Sequence, residues 1–178
     1  LGVFQDRELW MWLGVFAVVF LFQGGVEEIV FRGWMLSALA ARWGRVMGVL
    51  VSSLAFALVH FHIPLASGWA YAGPVLAGIF MIGLFFALWS VDRRSIVGPM
   101  AAHGAFNFFV TASALVIARI ENPDTALTTV FADAIREITG QAGAAFSWAL
   151  LVPAGVFGLL CLAMLVRLAL SGRKAAAE

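Results

Sequence analysis

Gly24-Gly25-Val26-Glu27-Glu28-Ile29-Val30-Phe31-Arg32 places two adjacent carboxylates and a guanidinium inside a run that is otherwise apolar across residues 9–41. A charge at mid-membrane depth costs about 2.5–3.5 kcal/mol on insertion scales, so it is rarely there without a partner or a task. Arg32 follows Glu28 by four residues. On a helix that spacing puts both on one face, where they neutralise each other. Glu27 is turned about 100° away and on this reading has no partner in its own helix. A carboxylate without a cation, in a poorly solvated place, is basic enough to take a proton from water. The competing reading is a structural polar cluster that locks helices together.

The whole chain supports a membrane setting. Only 12% of the 178 residues are charged, against roughly a quarter in soluble domains, and mean hydropathy is +0.99. A net charge of +1 with no basic run argues against a nucleic-acid partner. Cys161 is alone, which excludes a disulfide framework and a cysteine metal site and leaves it as a packing residue. The chain begins at Leu1 rather than Met and reads as a piece of a longer protein.

The apolar pattern predicts an all-α, polytopic transmembrane bundle of about five spans in one domain over residues 1–178. The first span is a long tilted helix over residues 9–41, ended by a loop at Arg42 and Arg45. The others cover residues 46–60, 75–90, 96–117 and 146–170, with the motif-bearing core at about 9–118. Pro64, Ser67, Gly68, Gly73 and Pro74 predict a loop between the second and third spans. Residues 126–138 read as a surface amphipathic helix. Five spans sort Arg42, Arg45, Arg93, Arg94, Arg167, Arg173 and Lys174 to one side and leave Arg7, Arg119 and Arg136 on the other. The first side is expected to be cytoplasmic. Gly44-x-x-x-Gly48 allows a close helix contact.

Few other strongly polar side chains lie in these spans: His60 ends the second, and His103 and Asn107 share one face of the fourth. With helix ends taken as level and about 1.5 Å of rise per residue, Glu27 and His60 lie about 21 Å deep, Asn107 about 18 Å and His103 about 12 Å. Three helices are therefore expected to bring a carboxylate, two imidazoles and an amide to one cavity. Taken singly, a histidine or asparagine in a membrane helix is more often a helix-to-helix hydrogen bonder. His62 lies about 200° round from His60 and cannot share its focus on a regular helix. No His-Glu-x-x-His is present. Asp92 sits in a basic turn, so no intramembrane aspartyl pair is available.

The set Glu27-Glu28-x-x-x-Arg32, Phe56-x-x-x-His60 and His103-x-x-x-Asn107 resembles the motifs of the CPBP family. That family comprises the type II CAAX prenyl endopeptidases and the bacterial bacteriocin-processing and self-immunity (Abi) relatives. The resemblance covers roughly residues 21–109. It implies a multi-pass protein of a bacterial plasma membrane that cuts a peptide bond near the cytoplasmic half of the bilayer. It implies Glu27 as the base that activates water, His60 as the group that holds and polarises it, and His103 and Asn107 as groups facing the oxyanion. Glu28 and Arg32 would be a structural ion pair. The expected partners are the lipid bilayer and a peptide or protein substrate, prenylated or bacteriocin-like, and no cofactor is expected. Two alternatives stay open: a zinc-dependent version with Glu27, His60 and His103 as ligands, and a non-enzymatic immunity or scaffold protein. Greater depth for Glu27 than for His103 argues against the zinc set.

Overall fold

A computed structural model describes residues 5–61, 69–121, 123, 126, 127, 129, 156 and 158–167. Every long element among them is helical, and the fold is an all-α bundle. The first helix, α1, runs without a break over Arg7–Trp43. Its start is set by Asp6, whose carboxylate accepts from the backbone N–H groups of Glu8 and Leu9, two donors that no intrahelical carbonyl can satisfy. Gly44 ends it at φ +86°, ψ 162°, a conformation that is essentially restricted to glycine. The remaining helices are α2 (Arg45–Val59), α3 (Trp69–Arg93), α4 (Val97–Glu121) and the described part of a last helix, α5 (Gly158–Arg167).

Three of these helices, Arg7–Trp43, Ala72–Arg93 within α3, and Val97–Glu121, are long and apolar enough to cross a membrane. Large apolar side chains cover the outside, among them Val18, Phe22, Trp34 and Phe109, while the buried set includes Glu28, Arg32, Ser52, Ser53 and His103. That inverted distribution suits a lipid solvent.

Several expectations need correction. The second span is a helix of only 15 residues, about 22 Å long, too short by itself for a hydrocarbon core of about 30 Å. Gly73 and Pro74 lie inside α3 rather than in a loop. Near a helix start, and in a bundle where neighbours satisfy freed carbonyls, a proline is tolerated. The expected loop at Pro64, Ser67 and Gly68, and most of the expected amphipathic helix at 126–138, fall outside the described residues. So does most of the last expected span, of which residues 158–167 are helical.

Two close contacts set the register. A Cβ on Gly24 would lie 2.6 Å from the Gly104 backbone nitrogen, so α1 and α4 touch backbone to backbone, as small residues permit in membranes. A Cβ on Gly48 would meet the Ala40 nitrogen at 2.9 Å and the Leu36 carbonyl at 3.0 Å. The glycine spacing at 44 and 48 thus serves one turn and one contact within the chain. At one end of the bundle Asp6 pairs with Arg119. At the other, Arg45 and Arg94 line one cavity, and Arg167 lies 3.5 Å from Asp92. The core between them is built from Phe31, Phe56, Ala57, Val75 and Ile79, then Leu36, Val49, Ala87, Leu88 and Cys161. Cys161 is a packing residue, as its surroundings in the sequence suggest.

Candidate active site

α1 changes its winding at the acidic motif. Ile29–Met35 form a π-helix, and the Leu36 N–H bonds to the Phe31 carbonyl five residues back. On an α-helix, side chains four apart drift about 40° per step. The wider π-turn counters that drift, so Glu28, Arg32 and Leu36 all stay buried against the bundle. π-turns inside helices occur often at functional sites.

Glu28 and Arg32 form the ion pair that their spacing predicts. Arg32 Nη1 donates to Glu28 Oε1 at 2.7 Å, and both side chains are fully buried. Arg32 Nη2 donates to the Gly83 carbonyl on α3 at 2.9 Å. Its guanidinium lies 4.4 Å from the centre of the Phe56 ring, a cation–π arrangement that gains from the loss of water. The same Phe56 ring is 4.6 Å from the His60 ring and 5.6 Å from the His103 ring. Its place four residues before His60 makes it the packing centre of the site.

Glu28 does more than neutralise Arg32. Its Oε1 also lies 2.9 Å from His103 Nδ1 on α4. An ionised carboxylate only accepts, so Nδ1 carries the proton, and the Nε2 lone pair of a neutral ring points the other way. His60 is held similarly. It caps α2 at φ −91°, and its Nδ1 lies 2.8 Å from the Phe56 carbonyl, which can only accept. When uncharged, the His60 ring therefore also presents an Nε2 lone pair.

Both Nε2 atoms face one oxygen. Glu27 Oε2 is 3.6 Å from His60 Nε2 and 3.7 Å from His103 Nε2, beyond direct hydrogen-bond range. That oxygen is buried and has no hydrogen-bond partner among the described residues. The other Glu27 oxygen, Oε1, accepts from Gln23 Nε2 at 2.9 Å. The expectation that Glu27 has no partner in its own helix is thus incorrect. Gln23 stands four residues before it, one turn up the same face, and that spacing was available in the sequence.

Glu27, His60 and Asn107 line one cavity of about 700 Å³, together with Gln23, Phe31 and Phe106. Asn107 is half-buried on the α4 face that also carries His103. The structure therefore brings Glu27, His60, His103 and Asn107 together and sets Glu28 and Arg32 behind His103. His62 lies outside the described residues. The depth estimate is corrected: His103 stands against Glu27, not two turns away. Helix ends need not be level, and the Gly24–Gly104 contact fixes the register of α4 on α1 directly.

An arrangement of this kind can hold a water that donates one hydrogen to the basic oxygen and the other to one of the two ring nitrogens. As a zinc set, the three residues are of the right donor types, and the depth objection to them no longer stands. As placed, however, no group of three His, Cys, Asp or Glu among the described residues forms a metal-ion site.

Comparison with known proteins adds one match. The model of the family described as type II CAAX prenyl endopeptidase, Rce1-like, matches residues 9–109, which include Gln23, Glu27, Glu28, Arg32, Phe56, His60, His103 and Asn107. No curated protein and no solved structure matches the chain. With the apolar helices, the match makes this an integral membrane protein.

Proposed function

Given that the chain belongs to the type II CAAX prenyl endopeptidase Rce1-like family, whose members are proteases of the CAAX type, we propose that it hydrolyses a peptide bond within or near the membrane by glutamate-activated water. The observation that carries this reading is Glu27 Oε2, buried without a hydrogen-bond partner among the described residues and facing the Nε2 atoms of His60 and His103.

Water held there gives one hydrogen to Glu27 Oε2 and the other to His60 Nε2. Glu27 removes its proton as the water oxygen bonds to the scissile carbonyl carbon, and the C=O electron pair moves onto the oxygen. Collapse of that intermediate breaks the C–N bond, and the proton held by Glu27 passes to the leaving nitrogen. Gln23 fixes the carboxylate by its other oxygen, so the basic one keeps its aim. Asn107 supplies an N–H donor where the oxyanion develops. His103 was expected to face the oxyanion. With Nδ1–H committed to Glu28, a neutral ring accepts at Nε2 rather than donates, and the water's two hydrogens go to Glu27 and His60, so in this mechanism His103 packs beside the water without binding it and forms one wall of the site. The apolar walls of the cavity keep competing water out and strengthen each of these contacts.

The family's printed description makes a prenylated CAAX-type peptide the first substrate to try. Protein reconstituted in vesicles and given a quenched fluorescent prenylated peptide is expected to cleave it. Asn107→Ala should lower kcat by about 10²–10³-fold, the usual loss for one oxyanion donor, with little change in KM. An unchanged kcat would remove Asn107 from the mechanism.

A second reading, a zinc enzyme, is favoured by one observation: a carboxylate oxygen and two ring nitrogens, all zinc-ligand types, converge on one point. A bound zinc would supply a Lewis acid and an acidified water. The side chains as placed do not form such a site, and no step of the mechanism is routed through it.

A further inference from the structure

At the opposite end of α1 from Asp6 lies a second cavity, of about 720 Å³. The mechanism above does not use it. Arg45 at the start of α2, Arg94 in the turn before α4, Ser37 and Ser95 line it, with Arg32 and Gly33 contributed by α1. Among the described residues that line it there are three guanidinium groups and no carboxylate. The starts of two helices add partial positive charge. α2 begins at Arg45 with no side-chain cap, and α4 begins at Val97. Arg94 is the one non-glycine described residue with positive φ, at +50°. L side chains visit that region rarely, so the turn keeps an arginine where glycine would be easier. Arg32 is almost wholly buried, and its Nε has no hydrogen-bond partner among the described residues.

The surroundings of Arg45 and Arg94 identify the source of an anion. Trp43 and Val46 flank Arg45 in the chain and are more than half exposed, as is Val97 beside the Arg94 turn. A basic recess whose arginines have exposed apolar and indole neighbours in the chain, at a helix end, matches an amphiphile with an anionic head. We propose that this cavity binds the phosphate head of an anionic phospholipid, with Arg45 and Arg94 as the charge-bearing ligands and the acyl chains against those exposed apolar side chains. The site does not depend on the proteolytic reading, because its readout is binding.

The test titrates the purified full chain, in a neutral detergent, with short-chain phosphatidylglycerol or with phosphatidylcholine of equal chain length, and follows the thermal unfolding midpoint. Phosphatidylglycerol should raise the midpoint of the wild type and phosphatidylcholine should not. In R45Q/R94Q the half-saturating phosphatidylglycerol concentration should rise by roughly tenfold or more, since each basic group near a lipid surface contributes severalfold. The control R42Q/R93Q removes the same charge outside the cavity and should titrate like the wild type. Inorganic phosphate at fixed ionic strength should leave the midpoint unchanged. Equal titrations of R45Q/R94Q and wild type, an equal loss in the control, or a full shift with inorganic phosphate alone would each overturn the headgroup site.

Discussion

Glu28 Oε1 receives two donors at once, Arg32 Nη1 at 2.7 Å and His103 Nδ1 at 2.9 Å. One buried carboxylate oxygen thereby joins the acidic helix to α4 and sets which nitrogen of His103 faces the cavity. The motif's second glutamate is thus both a counter-ion and the group that orients an imidazole, as carboxylates commonly do for functional histidines.

Loss of that oxygen should be a folding defect first. Glu28→Ala leaves a fully buried guanidinium without its counter-ion, a cost of about 3–5 kcal/mol for a buried pair. The amount of folded protein in detergent and its thermal midpoint should both drop. Glu27→Ala removes a side chain that is about one-fifth exposed and should leave both close to normal. The opposite pattern would exchange the roles of the two acids.

Acid should weaken the far end of the bundle. Asp6 lies outside the apolar span, and its hydrogen bond to Arg119 holds its carboxyl below the ordinary 3.8, with backbone donors from Leu9 and Glu8 adding to the effect. A lowered folded-state value means that the unfolded chain takes up the proton first as pH falls. The stabilisation is therefore present above about pH 4 and is lost as pH drops through the folded value. Asp6→Asn keeps an N-cap but removes the charge. Its thermal midpoint should fall less steeply than that of the wild type below pH 4, and parallel curves would disprove the assignment.

Much of this site was legible as spacing. Glu28 with Arg32, and His103 with Asn107, are each four apart, and helical geometry alone puts each pair on one face. Gln23 with Glu27 has the same spacing, yet an amide beside a carboxylate carries no charge signal, and only the folded structure shows its role. The contact of His103 with the glutamates was hidden for a different reason. Depth counted from helix ends assumes that the ends are level, whereas the register is fixed by Gly24 against Gly104, residues with no side chains to announce a contact. The π-turn at Ile29–Met35 has no sequence signature of its own, since it arises from the packing of Phe31, Arg32 and Leu36 together. Pro74 misled because a breaker in water is tolerated near a helix start inside a bundle.

Metal content separates the two chemical readings. The glutamate–water mechanism predicts purified protein without stoichiometric zinc and with activity that survives chelators. One zinc per chain, with cleavage abolished by chelation and restored by added zinc, would replace it with the metalloprotease reading. Zinc would then need Glu27, His60 and His103 at about 2.0–2.2 Å from one ion, closer together than their present arrangement.

The most direct measurement is the rate at which wild-type and Glu27→Gln proteins, reconstituted side by side, cleave the same prenylated peptide. Glutamine keeps the shape of the side chain and its contact with Gln23 but cannot take a proton. The wild type should cleave, and the variant should fold normally and lose about 10²–10⁴-fold in rate, the range of a general base. A folded Glu27→Gln protein that cleaves as fast as the wild type would contradict the account at its centre.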